Sequence, residues 1–242
     1  MKVGIIGYGV VGRAQEYLSL KLGNETTIID KLPHEAWADI IENCDIVFIC
    51  TPEDAVDSVV DEFKNAKGLL VIKSTVPIGT TIRLKNKYGI HVCNNPEFLR
   101  EANAKSDVMH PKMIVIGQCC TEHGILLMKF YQTLQSYRCV VDPTTSEVVK
   151  LTLNAYLSTQ LMFWKSIKQL CDKYGVDSDL VAEILEEDNR VSYYGHNPIT
   201  DSIKGRCLPK DLDQIIKAYE EWADVEPILF KAVKKVNNVH TI

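Results

Sequence analysis

Seven short apolar runs punctuate the first 142 residues: KVGIIG, TTIID, IVFIC, GLLVIKS, IHVCN, MIVIG and RCVVD. Each is rich in β-branched residues and bounded by turn formers, as strands are. Between them lie stretches of helical character, at 13–22, 55–65, 80–87 and 123–134. Strands that are apolar throughout need cover on both faces, and alternating helices supply it. The pattern predicts an α/β fold with a doubly wound, mostly parallel sheet.

The pattern changes after Pro143. Residues 146–174 contain neither proline nor glycine, and Gly175 follows as a helix stop. Thr144, Thr145 or Ser146 can cap the start, with Glu147 in the first turn. Such a helix is about 45 Å long. It carries apolar residues on more than one side, among them Val148, Leu151, Leu157, Met162, Phe163, Trp164 and Ile167. That predicts a spine buried against its own domain and against a second copy of the chain, a homodimer through the 146–174 helix. Further helices are expected at 180–187, 212–222 and 228–237. The expected domains are therefore 1–143, the sheet, and 144–242, all helical.

Composition excludes several classes. The 242 residues carry a net charge of −5, which argues against nucleic acid as a partner. No apolar run reaches the length of a membrane span, and the start lacks the features of a signal peptide, so a cytoplasmic location is the default reading. None of the eight cysteines forms a C-x-x-C pair, so spacing predicts no metal site. Most read as small hydrophobes in a reducing compartment.

The first strand ends in GIIGYGVVG, where Gly7, Gly9 and Gly12 match G-x-G-x-x-G around Val10 and Val11. The glycines allow a tight turn and close approach of a pyrophosphate to a helix N-terminus. The second strand ends in Asp30, 18 positions after Gly12, followed by Lys31. An acid there hydrogen-bonds ribose hydroxyls and repels a 2′-phosphate, which favours NAD over NADP in a Rossmann-like domain. Thr51 and Pro52, and Ser74 and Thr75, close later strands at the edge where such sheets bind ligands.

Two further groups carry chemistry. NNPEFLREA holds Glu97 and Glu101, which share a face if Glu97 begins a helix. In the spine, Glu147, Lys150 and Asn154 are three and four apart and share a face. A cation beside an amide donor suits a developing oxyanion. Near the end, KGRCLPKD sets Cys207 among Lys204, Arg206 and Lys210, and neighbouring cations favour a reactive thiolate.

GIIGYGVVG, CTP, STVPIGT, NPEFLREA, SEVVKLTLNAYL and CLPKD occur in the order found in the UDP-glucose/GDP-mannose dehydrogenases, which the chain resembles from end to end. The resemblance implies oxidation of a nucleotide-sugar C6 alcohol to a carboxylate with two NAD and one water, UDP-glucose being the substrate it favours. It makes Cys207 the nucleophile, through a thiohemiacetal and a thioester. It gives Lys150 and Asn154 the oxyanion, Asp211 and Thr75 a water, and Glu97 and Glu101 the hydrolysis. It places Phe98, Leu99, Arg100, Gly205 and Lys210 at the substrate. Departures accompany it. Ser202 and Lys204 stand where the family has glycine, and Gln160, Lys165 and Ser166 replace a further lysine and an Asn-Glu pair. The sequence also stops where the family continues into a nucleotide-binding domain, so the expected enzyme is either complete in itself or completed by a separate chain that supplies that domain. The competing expectations are a catalytically impaired NAD-binding scaffold, and a short dehydrogenase of a smaller hydroxy substrate.

Overall fold

The computed structural model describes residues 1–30, 43–196, 199–221 and 225–238. The chain divides into two compact units, Met1–Lys150 and Leu151–Ile242.

The first unit is built on one seven-stranded sheet. Its strands are β1 (Lys2–Ile6), β2 (Glu25–Ile29), β3 (Ile46–Ile49), β4 (Leu69–Ile72), β5 (Val92–Asn94), β6 (Met113–Gly117) and β7 (Tyr137–Val141). They lie in the order β2-β1-β3-β4-β5-β6-β7. Each of the seven apolar runs supplies one of them. The strands from β2 to β5 are parallel, and their last residues align: Ile6 with Ile29 and Ile49, Ile49 with Ile72, and Ile72 with Asn94. β6 and β7 are parallel to each other, but β6 meets β5 antiparallel through a single pair, Asn94 with Gly117. The sheet is thus two parallel groups of opposite sense, joined at a narrow seam.

Helices α1 (Val10–Lys21), α2 (Val56–Glu62), α3 (Thr80–Tyr88), α4 (Ala104–Met109) and α5 (Thr121–Phe130) connect the strands. Side chains alternate across the sheet, so each strand feeds two cores. Val3, Ile5, Phe48 and Val71 pack with Ala14 and Leu18 of α1 and Leu127 and Phe130 of α5. Ile6, Val47, Ile49 and Ile72 pack with Val56 and Val60 of α2 and Leu84 of α3. Burying each such side chain contributes about 1.5–3 kcal/mol.

The spine is α6 (Pro143–Tyr174), which begins three residues before the expected start. Its cap is none of the three expected residues. Asp142 accepts from the Thr145 N–H at 3.0 Å and from the Thr145 hydroxyl, and Pro143 takes the first helical position, where its missing N–H costs nothing. Residues 143–150 of α6 belong to the first unit and the remainder to the second.

The second unit adds α7 (Ser178–Glu186), α8 (Cys207–Glu221) and α9 (Ile228–Asn238). Leu151, Ala155 and Met162 of α6 share its core with Leu212, Ile215 and Ile216 of α8 and Val233 of α9. α8 starts five residues before the expected 212, because Pro209 falls in its first turn, where proline is tolerated. Lys165 is only 1% exposed and donates to the Val236 carbonyl of α9 at 2.9 Å. That substituted position therefore holds two helices together. No helix among the described residues is long and apolar enough to cross a membrane.

Candidate functional site

The carboxyl edge of the parallel strands carries the dinucleotide fingerprint. Gly7 has φ 88°, and a Cβ on it would lie 2.9 Å from the Cys50 carbonyl. A Cβ on Gly12 would lie 2.0 Å from the Gly7 oxygen, so only glycine lets α1 pack this closely. Gly9 caps α1 and has open space where its Cβ would point. Its neighbours Val10 and Val11 begin the helix, whose first-turn N–H groups have no intrahelical acceptor and whose first turn holds no acid. Asp30 is exposed directly after β2, and Gly7 N–H donates to Ile29 at 2.9 Å, so glycine turn and acid adjoin. Lys31 lies outside the described residues. The Thr51 hydroxyl is buried and unpartnered among the described residues, while its carbonyl accepts from Ser74 at 2.6 Å. Pro52 is exposed and leads into a 3-10 turn, Glu53–Ala55. Thr75 is half-buried just beyond β4. Open space over Gly9, helix N–H groups, an unsatisfied hydroxyl and an exposed acid fit a dinucleotide.

Glu97 does not begin a helix. Pro96 precedes it, and its carboxylate accepts from the Leu99 N–H at 2.5 Å, a local bond that competes with helix formation. The helical turn starts only at Glu101, so the two acids share no helical face. Glu97 instead receives the Lys150 ammonium at 3.1 Å, and Lys150 also lies 5.5 Å over the Phe98 ring. Glu101 is exposed. Arg100 is engaged by Asp107 at 2.7 Å, and Leu99 packs on the core. Glu147 parts company with Lys150. Its carboxylate caps α3, accepting from Gly79 N–H at 2.6 Å and from the Thr81 N–H and hydroxyl at 2.8 and 2.6 Å. Burial nonetheless raises its pKa, against those hydrogen bonds.

Beneath Glu97 lies a network that sequence reading missed. Asn95 donates to the Val115 carbonyl at 2.7 Å and accepts from Lys73 at 3.1 Å and from the Tyr131 hydroxyl at 2.5 Å. Asn94 accepts from Ser146 at 2.7 Å. Burial pushes the Lys73 pKa down to about 8, and pushes the nearby Cys50 thiol up to about 12. The adjacent asparagines in NNPE were the readable signal. Lys73 gave none, standing at the end of an apolar strand.

In the second unit, Cys207 opens α8, where free N–H groups favour a negative sulfur. It is the one exposed thiol of the eight. Asp211 follows one turn later, 1% exposed, and receives Asn154 at 2.5 Å and Lys210 at 2.7 Å. Gly205 carries φ 81° before the cysteine, so the strained position of the loop keeps its glycine and Lys204 beside it is exposed. Ser202 is held by Thr200, which accepts its N–H and donates to its carbonyl.

A fourth cluster sits at the opposite edge of the sheet. The ligand atoms of His91, Cys119, Cys120 and His123 all lie within 4.8 Å of one another. C-x-x-C spacing could not find it, because His91 arrives through the antiparallel pairing of β5 with β6.

The family model described as UDP-glucose/GDP-mannose dehydrogenase family, NAD binding domain, matches residues 32–135, and the family's central domain matches residues 144–239. The chain belongs to this family. A UDP-glucose 6-dehydrogenase of Rickettsia conorii is 33% identical over 81% of the chain and 50% of that relative. One of Bacillus subtilis is 32% identical over 82% of the chain and 49% of its own length. A UDP-glucose dehydrogenase structure from Pyrobaculum islandicum superposes with a TM-score of 0.89 at 25% identity, over 98% of this chain and 67% of that one. The chain thus spans about half the length of these two curated relatives. Its cofactor is NAD, that of the family's amino-terminal domain.

Proposed function

We propose that the chain is an NAD-dependent nucleotide-sugar 6-dehydrogenase, with UDP-glucose oxidised to UDP-glucuronate as the first candidate reaction. The observation that carries this reading is the Cys207 helix. An exposed thiol begins it, and a buried aspartate follows one turn later, paired with Asn154 and Lys210.

NAD held at the glycine edge would supply the hydride acceptor for each of two oxidations. Gly9 and the first turn of α1 would hold its pyrophosphate, and Asp30 its adenosine ribose. Thr51, Pro52 and Thr75 line the same strand ends. After the first oxidation, the Cys207 sulfur adds to the C6 aldehyde, forming a C–S bond, and the aldehyde oxygen takes up a proton. Lys150 and Asn154 donate toward that oxygen as it gains charge. The second oxidation leaves a thioester on Cys207. Water then adds to its carbonyl, the C–S bond breaks, and the sulfur leaves as thiolate. Asp211 with Thr75 orients that water, Glu101 serves as base or water positioner, and Glu97 as the supporting acid. Phe98, Leu99, Arg100, Gly205 and Lys210 contact the sugar nucleotide. The sum is one alcohol, two NAD⁺ and one water giving one carboxylate, two NADH and three protons.

Two copies pair through the exposed side of α6. The decisive experiment incubates the purified chain with NAD and a panel of sugar nucleotides, and counts NADH formed per sugar consumed. A ratio of two is expected. NAD binding without NADH from any sugar nucleotide sinks the proposal for this chain.

A further inference from the structure

We propose that His91, Cys119, Cys120 and His123 form a tetrahedral zinc site that staples the seam between the two halves of the sheet. The donor set, two thiols and two imidazoles, is that of closed structural zinc sites. The separations suit it. His123 Nδ1 lies 3.2 Å from both Cys119 Sγ and Cys120 Sγ, and His91 Nδ1 lies 3.6 Å from Cys119 Sγ. Zinc held at about 2.3 Å from sulfur and about 2.0 Å from nitrogen sets ligand atoms roughly 3.3–3.8 Å apart. The widest separation, within 4.8 Å, closes by a small side-chain rotation.

Topology explains why these four meet. His91 immediately precedes β5, Cys119 and Cys120 follow β6, and His123 lies in the first turn of α5. Asn94 and Gly117, the last residues of β5 and β6, pair antiparallel, so the chain leaving β6 runs back past the start of β5. This is also where the strand pairing of the sheet is thinnest, the single pair Asn94 with Gly117. A metal here links both halves where hydrogen bonds are fewest. The remaining surroundings suit a fixed site. Buried Cys93 accepts the Cys119 N–H at 3.2 Å, and Lys85 donates to the Cys119 carbonyl at 3.0 Å. His91 and His123 line a cleft of about 290 Å³ through which an ion can enter. The cluster lies at the edge opposite the glycine turn, so its role is structural. Binding one Zn²⁺ displaces the two thiol protons, and the two thiolates cancel the charge of the ion.

The full chain, prepared without chelator, should contain about one zinc per chain by elemental analysis. After chelation, Co²⁺ should restore one equivalent of metal, with the visible ligand-field and sulfur charge-transfer bands of tetrahedral S₂N₂ coordination. His91→Ala, an exposed change that the fold tolerates, and Cys120→Ser should each weaken Zn²⁺ by at least about tenfold, while Cys139→Ser should not. Added Zn²⁺ should raise Tm by about 5 °C, an increment that His91→Ala removes. Wild-type chain that takes up no stoichiometric Zn²⁺ and gives no cobalt spectrum overturns the proposal. So does full retention of metal by the His91→Ala, Cys120→Ser double variant. Recovery of a Cys93 to Cys119 disulfide from the native chain, whose sulfurs stand 3.4 Å apart, overturns it as well.

Discussion

The Lys150 ammonium meets the Glu97 carboxylate at 3.1 Å with their side chains only 6% and 13% exposed. An ion pair this dry contributes little net stability, yet removing one member strands the other. Glu97→Ala should therefore cost about 3 kcal/mol, whereas Glu97→Leu with Lys150→Met should restore most of it. Both forms should lose NADH production. Urea unfolding of Glu97→Leu, Lys150→Met and their double measures the coupling, and simple additivity would show that the pair is not coupled.

Cys207 offers the opposite contrast, large in turnover and small in stability. Its side chain is exposed, and exposed substitutions stay within about 0.5 kcal/mol. Cys207→Ser should leave the thermal transition in place while product formation stops. Continued turnover would remove the nucleophile assignment. Asp211→Ala should instead lower both, since it leaves Asn154 and Lys210 without their buried acceptor.

The second and third glycines of the fingerprint should separate cofactor binding from folding. A Cβ on Gly12 would collide with the Gly7 oxygen, so Gly12→Ala should lower Tm and NAD affinity together. A Cβ on Gly9 points into open space, so Gly9→Ala should fold normally but fill the volume the pyrophosphate needs. Calorimetry with NAD should give at least about a tenfold loss for Gly9→Ala, at unchanged Tm. Normal affinity would move the pyrophosphate elsewhere.

Strand identity was legible because apolar runs such as IVFIC and GLLVIKS have no other stable use than a doubly covered sheet. The fingerprint and the Cys207 segment were legible because their chemistry lies in local spacing. What local spacing cannot carry is a pairing direction. The antiparallel pairing of β5 with β6 assembles His91 with Cys119, Cys120 and His123, and nothing in IHVCN or MIVIG announces it. The helix expected at Glu97 failed for a related reason. The four-residue spacing to Glu101 assumed a helix that Pro96 and the Glu97 to Leu99 bond prevent. Asp142 escaped as the cap of α6 because it was read as the end of the preceding strand, RCVVD.

Lys73 should give the folded state a specific pH dependence. Its folded pKa is about 8, below the 10.5 of an unfolded lysine, with burial as the main cause. Below pH 8 both states hold the proton, and the cost of burying the charge is fully present. Between pH 8 and 10.5 the unfolded state binds the extra proton, so stability rises with pH, by about 3 kcal/mol for this group. Lys73→Met removes that cost, and Asn95 still accepts from Tyr131. The variant should be more stable than wild type at pH 7, by about 2 kcal/mol, with the difference shrinking by pH 10. Parallel curves for the two proteins across that range would mean that Lys73 does not titrate there.

The α6 helix leaves Tyr156, Phe163 and Leu170 exposed at 55%, 54% and 52%, seven residues apart in each case. Seven-residue spacing returns to one side of a helix after two turns, so the three form a stripe along the second unit's part of α6. Three large apolar side chains in line are costly to leave in water and suit pairing with the same stripe on another copy. The chain should therefore be a dimer by light scattering at micromolar concentration. Phe163→Glu places a charge at the middle of the stripe on both copies, where they would repel and lose apolar cover. It should yield a folded monomer with unchanged helical content, because the substituted side chain is exposed within the single chain. A Phe163→Glu chain that remains a dimer would move the interface off this stripe.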